Sequence, residues 1–118
     1  MICREEWITL SDFKGMKSEE GEAGDLDKMA DFLKSKAPNA IMIDATAAEP
    51  VSEMYATWLK KGVHVVTPNK KVGSGPMARY KECMDNAKAS GSLWGYETTV
   101  GAGLPIIGTL KKDLLQTG

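Results

Sequence analysis

Three stretches of this sequence carry side chains whose types and spacing could do chemistry. Asp44-Ala-Thr-Ala-Ala48 offers one hydroxyl, Thr46, among alanines small enough for a flat ring to lie against the backbone. Thr67-Pro-Asn-Lys-Lys71 offers two ammonium groups behind a proline-fixed turn, and Glu97 is a lone carboxylate ahead of a loop with glycines at 101 and 103. A lysine held at the edge of a sheet can steady an anionic cofactor, or stand beside a carbonyl oxygen that gains charge during reduction. One carboxylate with several inward-turned main-chain carbonyls makes an oxygen-only donor set, which suits a hard cation. Each stretch also has a plainer reading. Asp44–Ala48 could be a tight turn and the lysines solvated, which is how Lys71 is read. Residues 97–104 could be a strand-to-helix turn, with glycines relieving sterics and Pro105 in the first helical turn.

Two further features invite a function and are set aside. Gly101-Ala-Gly103 begins like a dinucleotide fingerprint, but Ile106 occupies the place of the third small residue and Gly108 comes too late. His64, the only histidine, lies inside a strand pattern with nothing nearby in sequence to orient it as a base, so it reads as structural or exposed. Cys3 and Cys83 have neither metal-ligand nor redox-motif spacing and read as free thiols, Cys83 beside a helical apolar stripe.

The elements that must position these residues follow from periodicity. Trp7-Ile8-Thr9-Leu10 could be a short strand, and Ser11–Gly24 reads as a polar surface loop. Residues 1–24 thus form a ragged N-terminal segment, with 25–118 a partial nucleotide-binding domain. Leu26, Met29, Ala30 and Leu33 recur at helical spacing until Pro38-Asn39 stops them. Ala40–Ile43 is an unbroken apolar run, typical of a strand covered on both faces. Val51, Met54, Tyr55, Trp58 and Leu59 stripe one helix that Pro50 opens and Gly62 closes. Val63–Val66 is a second strand. Met77, Tyr80, Met84 and Ala87 mark a helix from Pro76 to Gly91, Leu93–Tyr96 is a third strand, and a last helix spans about Pro105 to Leu115. This alternation predicts an α/β fold, a parallel sheet with helices on both faces. The three loops then gather at the strands' carboxyl ends, where such folds bind ligands.

Composition removes several classes. Of 118 residues, 42% are hydrophobic and 26% charged, with a net charge of -1, which fits one ordinary globular domain and gives no pull toward nucleic acid or an anionic membrane. No apolar run reaches transmembrane length, and the first residues resemble neither a signal peptide nor a transit peptide.

Val63-His-Val-Val-Thr-Pro-Asn-Lys-Lys71 and Tyr96-Glu-Thr-Thr-Val-Gly-Ala-Gly-Leu-Pro-Ile-Ile107 closely resemble homoserine dehydrogenases, and Asp44–Ala48 resembles the same family's preceding loop. Ser74-Gly-Pro-Met77 and the acidic stretch near Gly21–Leu26 are most similar to the dehydrogenase half of plant bifunctional aspartate kinase/homoserine dehydrogenases. The resemblance implies the second half of a Rossmann-type domain. It also implies reduction of aspartate 4-semialdehyde to homoserine with NADPH or NADH, in cytoplasm or plastid, and a homo-oligomer for the full-length family member. It places Thr46 and Ala47 near the nicotinamide ribose or ring, and Lys70 beside cofactor and substrate as the catalytic lysine. It assigns Glu97, with the main-chain oxygens of Val100, Ala102 and Leu104, to a sodium or potassium site. The family's glycine-rich fingerprint and its later acid/base residues have no counterpart among these 118 residues. The chain by itself is therefore expected to lack turnover, and the competing reading is a non-catalytic α/β fragment that packs against a partner chain.

Overall fold

The computed structural model describes residues 9–15 and 24–117. At its start, the Thr9 amide donates to Asp12 Oδ2 at 2.8 Å and the Asp12 amide to Thr9 Oγ1 at 3.2 Å. This reciprocal cap satisfies two orphaned amides and opens helix α1, Leu10–Gly15. The strand expected through Thr9 and Leu10, and the loop expected from Ser11, are corrected accordingly. Trp7, Ile8, Cys3 and the acidic residues Glu19, Glu20 and Glu22 lie outside the described residues.

Helix α2, Leu26–Lys36, begins where Asp25 Oδ1 accepts the amides of Asp27 at 3.0 Å and Lys28 at 3.1 Å. Strand β1, Ile41–Ile43, follows. The single helix expected after Pro50 is two, α3 at Glu49–Glu53 and α4 at Tyr55–Lys60. They part at Met54, whose amide bonds to Val51 three residues back at 3.1 Å, a tighter turn than the α-helical ladder. Gly62, at φ 78°, closes α4 before strand β2, His64–Val66. Helix α5 is Lys71–Ser74, α6 is Met77–Ser90, and strand β3 is Trp94–Gly95, shorter than expected. The last helix begins at Ile106, just after Pro105, as α7, Ile106–Gly108. It runs through π-helical turns at Thr109–Leu114 into α8, Leu115–Thr117.

The three strands are parallel in the order β1-β2-β3, with Met42 opposite Val65 and Val65 opposite Trp94. Pairing continues past the strand ends, since the Asp44 amide donates to Val66 O at 3.1 Å and the Thr67 amide to Gly95 O at 2.9 Å. The first residues of the first two loops are therefore fixed by the sheet. Met42 and Val65 join Tyr55, Trp58, Leu59, Val72 and Cys83 in one buried cluster, with Ala30 of α2. Burial pushes the Cys83 thiol up to about 11, which leaves it an inert core residue as expected. The expected parallel sheet with helices is present, but where helices were expected on both faces, α2, α4, α5 and α6 contribute to a core on the Met42 and Val65 side alone among the described residues. Along the opposite face Ile41, Ile43 and Val66 are 55%, 73% and 48% exposed among the described residues.

Candidate functional site

A buried hydrogen-bond network at the carboxyl ends of β1 and β2 ties the first two loops together. Asp44 is only 3% exposed, and Tyr55, Thr67 and Asn69 are buried with it. Asp44 Oδ2 accepts from the Tyr55 hydroxyl and from Asn69 Nδ2 at 3.1 Å, and Oδ1 accepts the Thr46 amide at 2.8 Å. Thr67 Oγ1 donates to the Asp44 carbonyl at 2.9 Å and accepts the Asn69 amide at 2.8 Å. Asn69 Nδ2 also donates to Ala48 O at 3.1 Å, and its Oδ1 accepts the Lys71 amide at 3.0 Å. One side chain thus holds both loops in register. Burial alone would raise the Asp44 carboxyl, but the hydrogen bonds from Tyr55, Thr46 and Asn69 outweigh it and hold the group below its ordinary value. Burial, and then the adjacent carboxylate, raise the Tyr55 phenol far above its ordinary value, so it stays a protonated donor.

Around this network the expected residues converge. Ala45, Thr46, Ala47, Pro68, Asn69, Lys70, Lys71 and Ser74 line a cleft of about 460 Å³. Thr46 Oγ1 accepts the Ala48 amide at 3.1 Å, and the hydroxyl also interacts with the Asp44 carboxylate. The exposed Ala45 and Ala47 leave space for a flat ring. Lys71 lies 3.9 Å from Glu49 in a solvated ion pair, whereas Lys70 has no carboxylate partner among the described residues. Lys70 also lines a second cleft of about 390 Å³, shared with Tyr80, Tyr96, Thr99, Val100 and Lys111. It stands at the junction of the two.

The third loop is fastened by Glu97, which opens a 3-10 turn at Glu97–Thr99. Its Oε1 accepts the Ile107 amide at 2.8 Å and its Oε2 the Gly108 amide at 2.9 Å, so the carboxylate caps α7. Gly101, at φ 72°, lies in the left-handed region that favours glycine, and a Cβ there would also push the Ile106 Cδ1 methyl aside from 2.0 Å. Ala102 adopts φ 52°, an uncommon left-handed conformation for a residue with a side chain. Of the loop residues expected to act together, Val100 lines the second cleft, while Ala102 and Leu104 line neither. His64 is a structural acceptor, as expected: its Nδ1 takes the Leu93 amide at 2.9 Å.

Reading residues alone missed Asp44, Tyr55 and Asn69 as the site's framework. The available signals were an acidic residue directly ending an apolar strand, and a tyrosine where the α4 stripe needed only an apolar side chain.

A family model described as homoserine dehydrogenase, NAD binding domain, matches residues 1–97. The chain is 44% identical over 120 residues to bifunctional aspartokinase/homoserine dehydrogenase 1, chloroplastic, of Arabidopsis thaliana, covering 100% of this chain and 13% of that protein. It is 41% identical over 111 residues to a homoserine dehydrogenase of Schizosaccharomyces pombe, covering 94% of this chain and 29% of that protein. Among solved structures, a Candida auris protein of unknown function matches with a TM-score of 0.86 at 30% identity, over 100% of this chain and 33% of that one. A hyperthermophilic archaeal homoserine dehydrogenase in complex with NADPH matches with a TM-score of 0.67 at 30% identity, over 91% of this chain and 31% of that one. The chain spans a third or less of the length of each of these proteins.

The network makes a stability prediction. Asp44 has a depressed carboxyl in the folded state, so its contribution is present above its unfolded value and lost as pH falls through the lower folded one. Tyr55→Phe removes one donor to a buried charge and should cost about 1.5–3 kcal/mol near neutral pH. It should also raise the folded carboxyl toward its unfolded value, so that less stability is lost in acid and the loss is complete at higher pH. Urea unfolding between neutral and acid pH measures both effects, and parallel profiles for the two proteins would exclude this role for Tyr55.

Proposed function

The chain belongs to the homoserine dehydrogenase family through its NAD-binding domain, and on that premise we propose that it serves the NAD(P)H-dependent reduction of aspartate 4-semialdehyde to homoserine. The observation that carries this reading is the position of Lys70, an ammonium without a carboxylate partner at the junction of two clefts. In this reading residues 25–118 are a partial NAD(P)-binding domain behind an N-terminal segment, residues 1–24. The 460 Å³ cleft suits a nicotinamide cofactor: its alanines leave space for a ring, Thr46 is fixed in its lining, and Lys70 is positive. When bound there, the cofactor supplies the hydride. Thr46 and Ala47 orient it against the end of β1, and Lys70 places its charge beside the substrate carbonyl oxygen, where negative charge develops. The full-length protein would act as a homo-oligomer in cytoplasm or plastid, the latter in keeping with the chloroplastic Arabidopsis relative.

The Glu97 loop is assigned to a sodium or potassium ion. Among the described residues no group of three or more acidic, histidine or cysteine side chains gathers, so such a site rests on one carboxylate and main-chain carbonyls. That donor set suits a hard ion of low charge. Each Glu97 oxygen accepts a single amide and keeps a second lone pair, and the Leu104 oxygen accepts only the Ile106 amide at 2.9 Å. Glu97, Val100, Ala102 and Leu104 would hold the ion.

A second reading, a half-domain that packs on a partner chain without turnover, draws on the exposed Ile41, Ile43 and Val66 face. Kinetics separates the two. With this domain set in a complete homoserine dehydrogenase chain, Lys70→Ala should lower kcat/KM by about 100- to 1000-fold, the loss of one well-placed charge at a transition state. Lys71→Ala should cost far less. Equal effects would remove Lys70 from its assigned role, and no turnover with either lysine in place would favour the second reading.

For Glu97, Gln substitution keeps the volume and removes the charge. Set in a complete homoserine dehydrogenase chain, the wild-type domain should gain loop order and activity as sodium or potassium is titrated, and Glu97→Gln should respond weakly. Identical salt responses would reduce Glu97 to a helix cap.

A further inference from the structure

The second cleft shares Lys70 and Val100 with the proposed dehydrogenase site, but its Tyr80, Tyr96 and Lys111 have no role in that reading. Lys111, in the π-helical turns, donates to the Tyr80 hydroxyl at 3.2 Å and to the Tyr96 hydroxyl, and its Nζ lies 5.0 Å from the Tyr96 ring centroid. The two phenols lie 3.0 Å apart, so one donates to the other. Counting protons shows what remains. An ammonium has three N–H donors, of which two are spent on the phenols, and of the two phenol protons one is spent between them. Ser74 and Thr99 on the same wall have already given their protons to the Lys70 and Tyr96 carbonyls, at 3.0 and 2.7 Å. One ammonium N–H, one phenol O–H and the Lys70 ammonium are left facing a cleft that no carboxylate lines.

We propose that this cleft binds a small aliphatic carboxylate, its anionic end on Lys111, the spare phenol and Lys70, and its hydrocarbon part against Val100, Ile107 and the tyrosine rings. Unspent donors without a matching acceptor call for an acceptor-only group, and a carboxylate is one. The apolar walls favour an organic anion over a bare inorganic one, because a hydrated inorganic ion gains nothing from them. Lys111 is already held by two hydroxyls and a ring face, so binding would cost little further side-chain ordering. A π-helical turn at this point is consistent with a functional site, where such turns are often found.

The test is an NMR titration of the 118-residue chain with butyrate, phosphate and chloride. Butyrate should give saturable shifts at Tyr80, Tyr96 and Lys111, tighter than either inorganic anion. Lys111→Met should weaken butyrate by about tenfold or more, as expected for a lost charge-assisted hydrogen bond, and Lys112→Met should leave it unchanged. If Lys111→Met does not fold, Tyr80→Phe, which removes a phenol proton, should still weaken butyrate severalfold. Phosphate binding at least as tightly as butyrate, a response that never saturates, or butyrate binding unchanged by these substitutions would each overturn the proposal.

Discussion

A single buried carboxylate sets the terms for the rest of this structure. Removing Asp44 from water costs several kcal/mol, and such a charge persists only where hydrogen bonds replace its hydration. Here the Tyr55 hydroxyl, the Asn69 amide group and the Thr46 main-chain amide do so, each contributing about 1.5–3 kcal/mol to a charged acceptor. The balance closes only with all three in place. The donors come from α4, from the loop after β2 and from the loop after β1, so satisfying one charge fixes the relative position of three segments. The position of Thr46 against Lys70 is a consequence of that requirement.

The third loop is organised by the same chemistry on a more open footing. Glu97 is half-buried and accepts two amides at the start of α7, where the helix dipole favours a negative charge. Gly101 permits the turn and Ile106 closes over it. Two carboxylates therefore frame the site from opposite sides, each holding loop backbone. The cationic groups Lys70 and Lys111 are left for whatever enters the clefts.

The parallel sheet and its helices were legible because apolar runs and helical stripes record burial directly. The placement of Lys70, Thr46 and Glu97 near the sheet's carboxyl edge was legible because each follows a strand pattern. Tyr55 was not, since its ring looks like any core residue and its hydroxyl finds Asp44 eleven residues away only after folding. Asn69 was hidden for the same reason, its partners lying 21 and 25 residues distant. The break at Met54 and the π-helical turns around Lys111 escaped because a 3.6-residue period cannot report a local change of register. The exposed face of Ile41 and Ile43 also ran against expectation, since the apolar run there reads as a strand covered on both sides.

The central claim is that Asn69 joins two loops into one site, and amide hydrogen exchange on Asn69→Ala tests it most directly. The account predicts that the Thr46, Ala48 and Lys71 amides lose protection together, while the Val65 amide, bonded to Leu93 O at 2.9 Å in the sheet, keeps it. Loss of protection at Lys71 alone, with Thr46 and Ala48 unchanged, would contradict it, because the loop after β1 would then hold its position without its neighbour.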